Sequence, residues 1–227
     1  MGESTKPPNA TPWRSFAYTF FRALFKLLFR ILFRMKWIGR DHVPLTGPVL
    51  IVANHQSYID PPAIGCGMKR HSAYLGRSGL FKNPVLGYFL RLFNVYPLNE
   101  QGGDIAAMRA VLSILKQGHS VVIFPEGSRC EDGEIAPFKR GAEMIAKKAK
   151  CPVLPAAIDG AFEAWPRSSK RPKLFNRGVK IIYGQPIAHE DLFDPEAEGT
   201  VTERLEQEVR RLHAQLHDTQ ADACIQR

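Results

Sequence analysis

The stretch that decides the fold is residues 49–62, which read VLIVANHQSYIDPP. Its first five residues are apolar without a break, which is typical of a strand buried on both faces of a sheet. Asp60 is followed by two prolines, a pattern that marks a helix start with Asp60 as the expected cap. The stretch therefore predicts a buried strand, a polar turn that contains His55, and a helix.

Strands and helical segments alternate along the rest of the chain. Further strands are expected at residues 120–124, 153–158 and 179–183, and helices at residues 105–116 and 141–150. This order predicts an α/β fold: a single domain with a mixed or parallel sheet flanked by helices. The length of 227 residues and the 44% hydrophobic content are sufficient for one ordinary core.

His55 and Asp60 are the first candidates for chemistry. An imidazole takes a proton from a hydroxyl near neutral pH, and a carboxylate on its other nitrogen fixes the tautomer. Ligands of open α/β sheets bind at the ends of strands, where this pair lies. The same offset recurs at His189/Asp194, His213/Asp218 and His217/Asp222. Those pairs fall in a polar loop and a charged tail helix, so we expect solvated surface residues there.

A second candidate cluster follows the strand expected at 120–124. Residues 124–129 read FPEGSR. Gly127 allows the backbone to approach a ligand closely, and Arg129 offers a planar fork that suits phosphate. Glu126 can hold a hydroxyl or orient Arg129. In isolation these residues also fit a turn with an ion pair, whereas together with His55 they predict the second half of one site.

The N-terminus carries most of the positive charge. The net charge is +9, and residues 1–40 contain eight basic residues against one acidic residue. A helix is expected from Pro12 to about Met35, capped by Thr11. Its cations Arg22, Lys26, Arg30 and Arg34 are expected on one side, and Phe20, Phe21, Leu24, Leu27, Leu28, Ile31 and Leu32 on the other, with Phe16 and Phe33 breaking the pattern.

This helix is expected to lie in a membrane interface. Four central cations cost about 10–14 kcal/mol in a bilayer, while the apolar residues return only about 3–7 kcal/mol, so spanning is disfavoured. In the interface, the aromatic residues reach the acyl boundary and the cations meet anionic headgroups. The alternative is a core helix packed on the domain with its cations extended to water.

The predicted organisation is an N-terminal basic amphipathic helix at 1–38, an α/β domain at 39–195 and a C-terminal surface helix and tail at 196–227. The four cysteines are far apart and form no metal-ligand pattern, so no metal site is expected. A positive charge also suits nucleic acid, but no nucleic-acid motif is present, so nucleic acid is not an expected partner.

The two motifs together resemble the glycerolipid acyltransferases, and in particular the bacterial 1-acyl-glycerol-3-phosphate acyltransferases. Residues 54–60 (NHQSYID) and 124–129 (FPEGSR) carry the resemblance, with PFKRG at 137–141 and VLP at 153–155. It extends from about residue 39 to residue 187. It implies that His55 is the general base, oriented by Asp60, and that Glu126, Gly127, Ser128 and Arg129 hold the glycerol phosphate.

The resemblance also implies the co-substrates and the location. The acceptor hydroxyl attacks the thioester of acyl-CoA or acyl carrier protein directly, with no other cofactor. The expected partners are a membrane surface, anionic lipids and the acyl donor, and the expected location is the cytoplasmic face of the cell membrane as a peripheral protein.

One departure from the family pattern concerns the acceptor. Relatives that act on lysophosphatidate tend to have an arginine after the strand that here reads FNVYPL at 93–98, but Asn99 and Glu100 follow it. Arg77 and Lys139 are the candidates to replace that arginine. Lysophosphatidate is the expected acceptor. Another lysolipid or amphiphilic alcohol is the first alternative, and a non-catalytic membrane-binding protein is the second.

Overall fold

The computed structural model describes residues 12–98, 103–176 and 178–225. Fifteen elements follow one another in this part of the chain: α1 (Pro12–Leu32), β1 (Lys36–Ile38), β2 (Val49–Ala53), α2 (Asp60–Gly67), β3 (Ser72–Arg77), α3 (Pro84–Leu92), β4 (Val95–Leu98), α4 (Gly103–Lys116), β5 (Ser120–Ile123), α5 (Gly141–Ala149), β6 (Val153–Asp159), α6 (Ala161–Ala164), β7 (Lys180–Tyr183), α7 (His189–Leu192) and α8 (Val201–Ile225). Short 3₁₀ turns lie at Arg40–His42 and Ser78–Lys82.

The strands form one seven-stranded sheet in the order β1-β7-β6-β2-β5-β3-β4. In this order, the neighbouring strands from β6 to β4 pair in parallel. β7 runs antiparallel to β6, and β1 pairs in parallel with β7. The predicted α/β domain with a mixed sheet flanked by helices is therefore confirmed.

Both faces of the sheet are covered. The uninterrupted apolar run of β2 serves both sides, because Val49, Ile51 and Ala53 join the cluster under α1 and α2, whereas Leu50 and Val52 join the cluster under α4, α5 and α8. Alternate side chains of a strand point to opposite faces, so only a continuous apolar run suits this central position. All five residues of β2 are buried.

The register of the central strands places the two predicted motifs side by side. Val52 of β2 is paired with Ile123 of β5. Because the two strands are parallel, their carboxyl ends reach the same edge of the sheet, and the chain leaves that edge as residues 54–60 and 124–129. Asp60 is the first residue of α2 and does not cap it with its side chain, which differs from the expected capping role.

The edges of the domain differ from the sequence prediction. The first helix ends at Leu32, before Met35, because Arg34 adopts a positive φ of 47°. β1 falls within the segment 1–38 yet pairs with β7. The tail helix is more than a surface helix, because α8 buries Leu205, Val209, Leu212 and Leu216 against the sheet. Thr11 and the residues before it lie outside the described part of the chain.

Candidate active site

Asp60 holds the imidazole of His55. Nδ1 of His55 lies 2.8 Å from Oδ2 of Asp60. The same oxygen accepts hydrogen bonds of 2.6 Å from the backbone N–H groups of Gln56 and Ser57. Asp60 is fully buried, so its carboxylate is fixed by the turn that carries the histidine. The predicted pairing of His55 with Asp60 is present in the structure.

The other nitrogen of the imidazole is available for a substrate. The His55 ring stacks on Phe124 with centroids 4.0 Å apart and an angle of 16° between the planes, and its side chain is 18% exposed. When the Asp60 carboxylate accepts from Nδ1–H, the lone pair of a neutral imidazole lies on Nε2. Among the described residues, no hydrogen-bond partner occupies Nε2. The geometry is that of a general base open on one side.

Glu126 joins the two motifs. Its Oε1 accepts a 2.6 Å hydrogen bond from the backbone N–H of His55, and its Oε2 accepts a 3.0 Å hydrogen bond from the N–H of Ala136. Burial raises the pKa of this carboxyl, although both backbone hydrogen bonds oppose the rise. Glu126 was expected to contact substrate. Its two oxygens instead accept hydrogen bonds from the backbone, and a contact of Glu126 with substrate stays a prediction.

Arg129 and Lys139 supply positive charge at the loop whose next residue, Cys130, donates a backbone hydrogen bond to the carbonyl oxygen of His55. The guanidinium carbon of Arg129 lies 3.5 Å from the centroid of the Tyr58 ring, and Nη1 is buried with no hydrogen-bond partner in the described part of the chain. Gly127 has a φ of 79°, and a Cβ there would lie 2.6 Å from Nζ of Lys139. Ser128 is exposed on the same loop. The two positive charges at this loop suit an anion.

Arg77 lies further along the same edge of the sheet. It is the last residue of β3, which is the neighbour of β5, and it is exposed. The structure therefore brings Arg77 to the correct edge without a direct contact to His55 or Arg129. Asn99 and Glu100, on which the question of the acceptor depends, lie outside the described residues.

The cysteines near the site are poor nucleophiles. Burial raises the pKa of the Cys66 thiol to about 12 and that of the Cys130 thiol to about 11. A thiol attacks as its thiolate, and burial disfavours that form in both groups.

Of the other three His/Asp pairs, only His189 and Asp194 have both side chains in the described part of the chain, and they form no contact like that of His55. His213 was expected on the solvated surface, but its side chain is only 17% exposed because α8 packs against the end of β6. His217, one turn later, is half exposed. The side chains of Asp218 and Asp222 lie outside the described part.

The first helix divides its apolar residues between two surfaces, which the sequence did not predict. Phe29 and Phe33 are buried against the domain, and Phe21 contacts Phe89 of α3 edge-on. A second set points away from the domain and is exposed: Phe16, Phe20, Leu24, Leu27, Leu28 and Ile31. We call these six residues the apolar stripe. The helix thus packs on the domain and exposes an apolar face as well.

The four cations predicted for the first helix lie in two different surroundings. Arg30 and Arg34 are exposed. Arg22 and Lys26, expected to face outward, line a cavity of about 260 Å³ together with Arg40 and Lys69. Burial and the nearby arginines lower the pKa of Lys26. No helix in the described part of the chain is both long and apolar enough to cross a membrane.

The fold and the candidate site together are those of an α/β domain with a histidine–aspartate pair beside a loop that carries an arginine. The profile of the Acyltransferase family matches residues 34–159. The chain is 30% identical over 187 residues to a 1-acyl-sn-glycerol-3-phosphate acyltransferase of Bacillus subtilis, covering 80% of this chain and 89% of that protein. It is 26% identical over 167 residues to the protein of the same name from Streptococcus pneumoniae, covering 72% and 60% respectively.

A solved structure is similar over most of the chain. The 1-acyl-sn-glycerophosphate (LPA) acyltransferase PlsC from Thermotoga maritima matches with a TM-score of 0.73 at 27% identity, over 90% of this chain and 81% of that chain. The chain belongs to the Acyltransferase family, and the resemblance drawn from its two motifs is confirmed.

Proposed function

We propose that this enzyme transfers a fatty acyl group from acyl-CoA or acyl carrier protein to the free hydroxyl of lysophosphatidic acid, giving phosphatidic acid. The observation that carries the proposal is the His55–Asp60 contact of 2.8 Å beside the loop of Arg129. The names of the relatives from Bacillus subtilis and Streptococcus pneumoniae support the same reaction.

The proposed step uses one base and no acyl-enzyme. Nε2 of His55 takes the proton of the acceptor hydroxyl as its oxygen attacks the thioester carbonyl carbon. The carbon–sulfur bond then breaks, and the imidazolium returns the proton to the departing thiolate. Asp60 stabilises the imidazolium between these events. The ester and the free thiol are the products, and the thioester is the only co-substrate that the step needs.

The phosphate of the acceptor is proposed to bind at Arg129. Its buried, unpartnered Nη1 is a donor that an anion can satisfy. Lys139 adds a second positive charge at Gly127, and Arg77 lies on the same sheet edge. Gly127 itself lets a phosphate oxygen approach the backbone. A charged headgroup is therefore favoured over a neutral one.

A matrix of donors and acceptors tests the proposed substrates. Initial rates of thiol release in mixed micelles are measured for acyl-CoA and acyl carrier protein, each with lysophosphatidate and with a lysolipid that lacks a phosphate monoester. We expect the highest rates with lysophosphatidate. Faster acylation of the other lysolipid would reassign the acceptor, and no turnover with any pair would favour the non-catalytic alternative.

The apolar stripe of α1 is the proposed membrane contact. Its six residues are exposed over four turns, and Leu80, Val85, Leu86 and Tyr88 on and before α3 are exposed as well. Arg30 on the same helix and Arg34, two residues beyond its end, are exposed cations that can meet anionic headgroups. Lysophosphatidate and phosphatidate reside in the bilayer, since each buried methylene contributes about 0.8 kcal/mol. Because the proposed donors are cytoplasmic, we propose peripheral docking on the cytoplasmic face of the cell membrane.

A matched pair of substitutions tests the docking. Leu27→Asp places a charge on the apolar stripe, at a residue that is 55% exposed, whereas Leu45→Asp makes the same change at a loop residue that is 64% exposed. We expect Leu27→Asp to weaken cosedimentation with anionic vesicles and Leu45→Asp to leave it unchanged. Equal binding by the two variants would contradict docking through α1.

A further inference from the structure

A second cluster of titratable side chains lies on the face of the sheet covered by α8. Asp159 is the last residue of β6 and is 1% exposed. Nε2 of His213 lies 3.7 Å from Oδ1 of Asp159, and Nε2 of His217 lies 3.4 Å from the same oxygen. The three donor atoms all lie within 4.8 Å of one another. The cluster plays no part in the proposed acyl transfer.

The spacing of these atoms suits a shared metal ion. With bonds of about 2.0–2.2 Å, neighbouring ligand atoms of a tetrahedral Zn²⁺ site lie about 3.3–3.6 Å apart. The observed separations of 3.4 and 3.7 Å are close to that range. The longer one exceeds an ordinary hydrogen bond. The two imidazole nitrogens lie within 4.8 Å of each other, so an ion among the three atoms would need an adjustment of the histidine side chains.

The fold holds the three ligands in place without the ion. His213 and His217 are one helical turn apart, and each directly follows a buried leucine, Leu212 or Leu216, that packs on the sheet. Asp159 is fixed by its pairing with β7, and the preceding residue, Ile158, exchanges two backbone hydrogen bonds with the side chain of Asn54. A preorganised donor set loses little conformational freedom when it binds an ion.

We propose that Asp159, His213 and His217 bind one first-row divalent cation of the Zn²⁺ type. Two imidazole nitrogens and one carboxylate oxygen suit Zn²⁺, while Mg²⁺ and Ca²⁺ prefer oxygen donors throughout. The fourth position is taken by water, because the His217 side chain is 49% exposed. Lys180, the register partner of Asp159 on β7, donates to the carbonyl oxygen of Leu216. Its positive charge opposes the ion, so we expect weaker binding than at a site without a neighbouring cation.

The ion would connect α8 to the end of β6. This contact lies on the opposite face of the sheet from α2, and none of the candidate site residues named above belongs to α8. The bound ion is therefore expected to stabilise the fold without changing the rate of acyl transfer. Because ligands that bind only the folded state raise its stability by mass action, the effect has a readout besides activity.

Titration with Co²⁺ tests the site on the full chain, freed of any affinity tag and treated with a chelator. Tetrahedral Co²⁺ gives visible absorption bands, and Zn²⁺ displaces it. We expect one Co²⁺ per chain and a higher melting temperature with Zn²⁺. His217→Ala, whose half-exposed ring contributes little packing, should lose both effects. Asp159→Asn should lose them as well, while His119→Ala, at an exposed histidine elsewhere, should keep them.

The opposite results overturn the proposal. The unmodified chain could show no Co²⁺ bands and a melting temperature that Zn²⁺ leaves unchanged. That result would show that the cluster is an ion pair and binds no metal ion. A thiolate-to-cobalt charge-transfer band would place the ion on a cysteine. A loss of binding in His119→Ala equal to that in His217→Ala would show nonspecific binding to histidines.

Discussion

Replacing Asp60 with Asn removes one charge from the candidate site at almost constant volume. Asp60 is fully buried, and its Oδ2 accepts three hydrogen bonds, from Nδ1 of His55 and from the backbone N–H groups of Gln56 and Ser57. The amide oxygen of asparagine can accept from the same donors as a neutral group. If the amide turns, its NH₂ group faces Nδ1 and the proton of the ring moves to Nε2, the wrong nitrogen for a base.

The size of the effect follows from these contacts. A hydrogen bond to a charged group contributes about 1.5–3 kcal/mol, against about 0.5–1.5 kcal/mol for a neutral one, so three weakened bonds cost about 3 kcal/mol of unfolding free energy. Loss of an oriented general base lowers kcat by about 10²–10⁴-fold. We expect both losses in Asp60→Asn.

The assay measures thiol release from acyl-CoA with lysophosphatidate in mixed micelles, alongside urea unfolding. Asp41→Asn is the matched control, because Asp41 is an exposed aspartate that pairs with Lys69 away from the site. We expect the control to retain wild-type kcat. The reasoning is refuted if Asp60→Asn keeps kcat within about tenfold of wild type while remaining folded, since the general base would then not depend on its carboxylate.

Two further substitutions examine the loop of Glu126 and Arg129. Arg129→Gln should raise KM for lysophosphatidate about 10–100-fold, because a charge-assisted phosphate contact is lost. The KM of an acceptor without a phosphate should change much less. Equal changes in KM for both acceptors would contradict phosphate binding at Arg129. Glu126→Gln tests the buried carboxyl through pH. Because burial raises its pKa in the folded state, the folded chain binds the proton more tightly than the unfolded chain. The wild type should therefore lose stability relative to Glu126→Gln as pH rises from about 4.5 through the raised pKa. Melting temperatures of the two proteins between pH 4 and pH 7, at about half-unit steps, measure this difference, and a wild type that gains stability relative to the variant would contradict the assignment.

The parts of the fold that the sequence predicts well are those with a strong local pattern. β2 is an uninterrupted apolar run, and β5 is apolar after Ser120. Each strand is followed by a polar motif, so a parallel pairing brings His55 and Glu126 to one edge. Asp60 could be assigned as the partner of His55 because only five residues separate them. The proline pair after Asp60 located the start of α2.

Other features depend on contacts between distant residues. The hydrogen bond from His55 N–H to Glu126 joins residues that are 71 positions apart, so no local pattern reveals it. α1 has apolar residues on more than half of its circumference, and only the position of the domain decides which of them are buried. The short strands β1 and β3 contain polar or charged residues and lack the pattern of a buried strand.

The contact between Asp159 and the two histidines of α8 is of the same long-range kind. The spacing of His213 and His217 places both on one side of a helix, which is a signal for paired ligands. The third ligand comes from the end of a strand more than fifty residues earlier, and only the packing of α8 on the sheet brings it within reach.

The most direct test of the central claim is kcat for His55→Ala, measured as thiol release with the preferred donor and acceptor beside vesicle cosedimentation of the same protein. General-base catalysis by His55 predicts that kcat falls by about 10²–10⁴-fold while membrane binding stays at the wild-type level. Turnover within about tenfold of the wild type, in a folded and membrane-bound variant, would contradict a catalytic role for this imidazole.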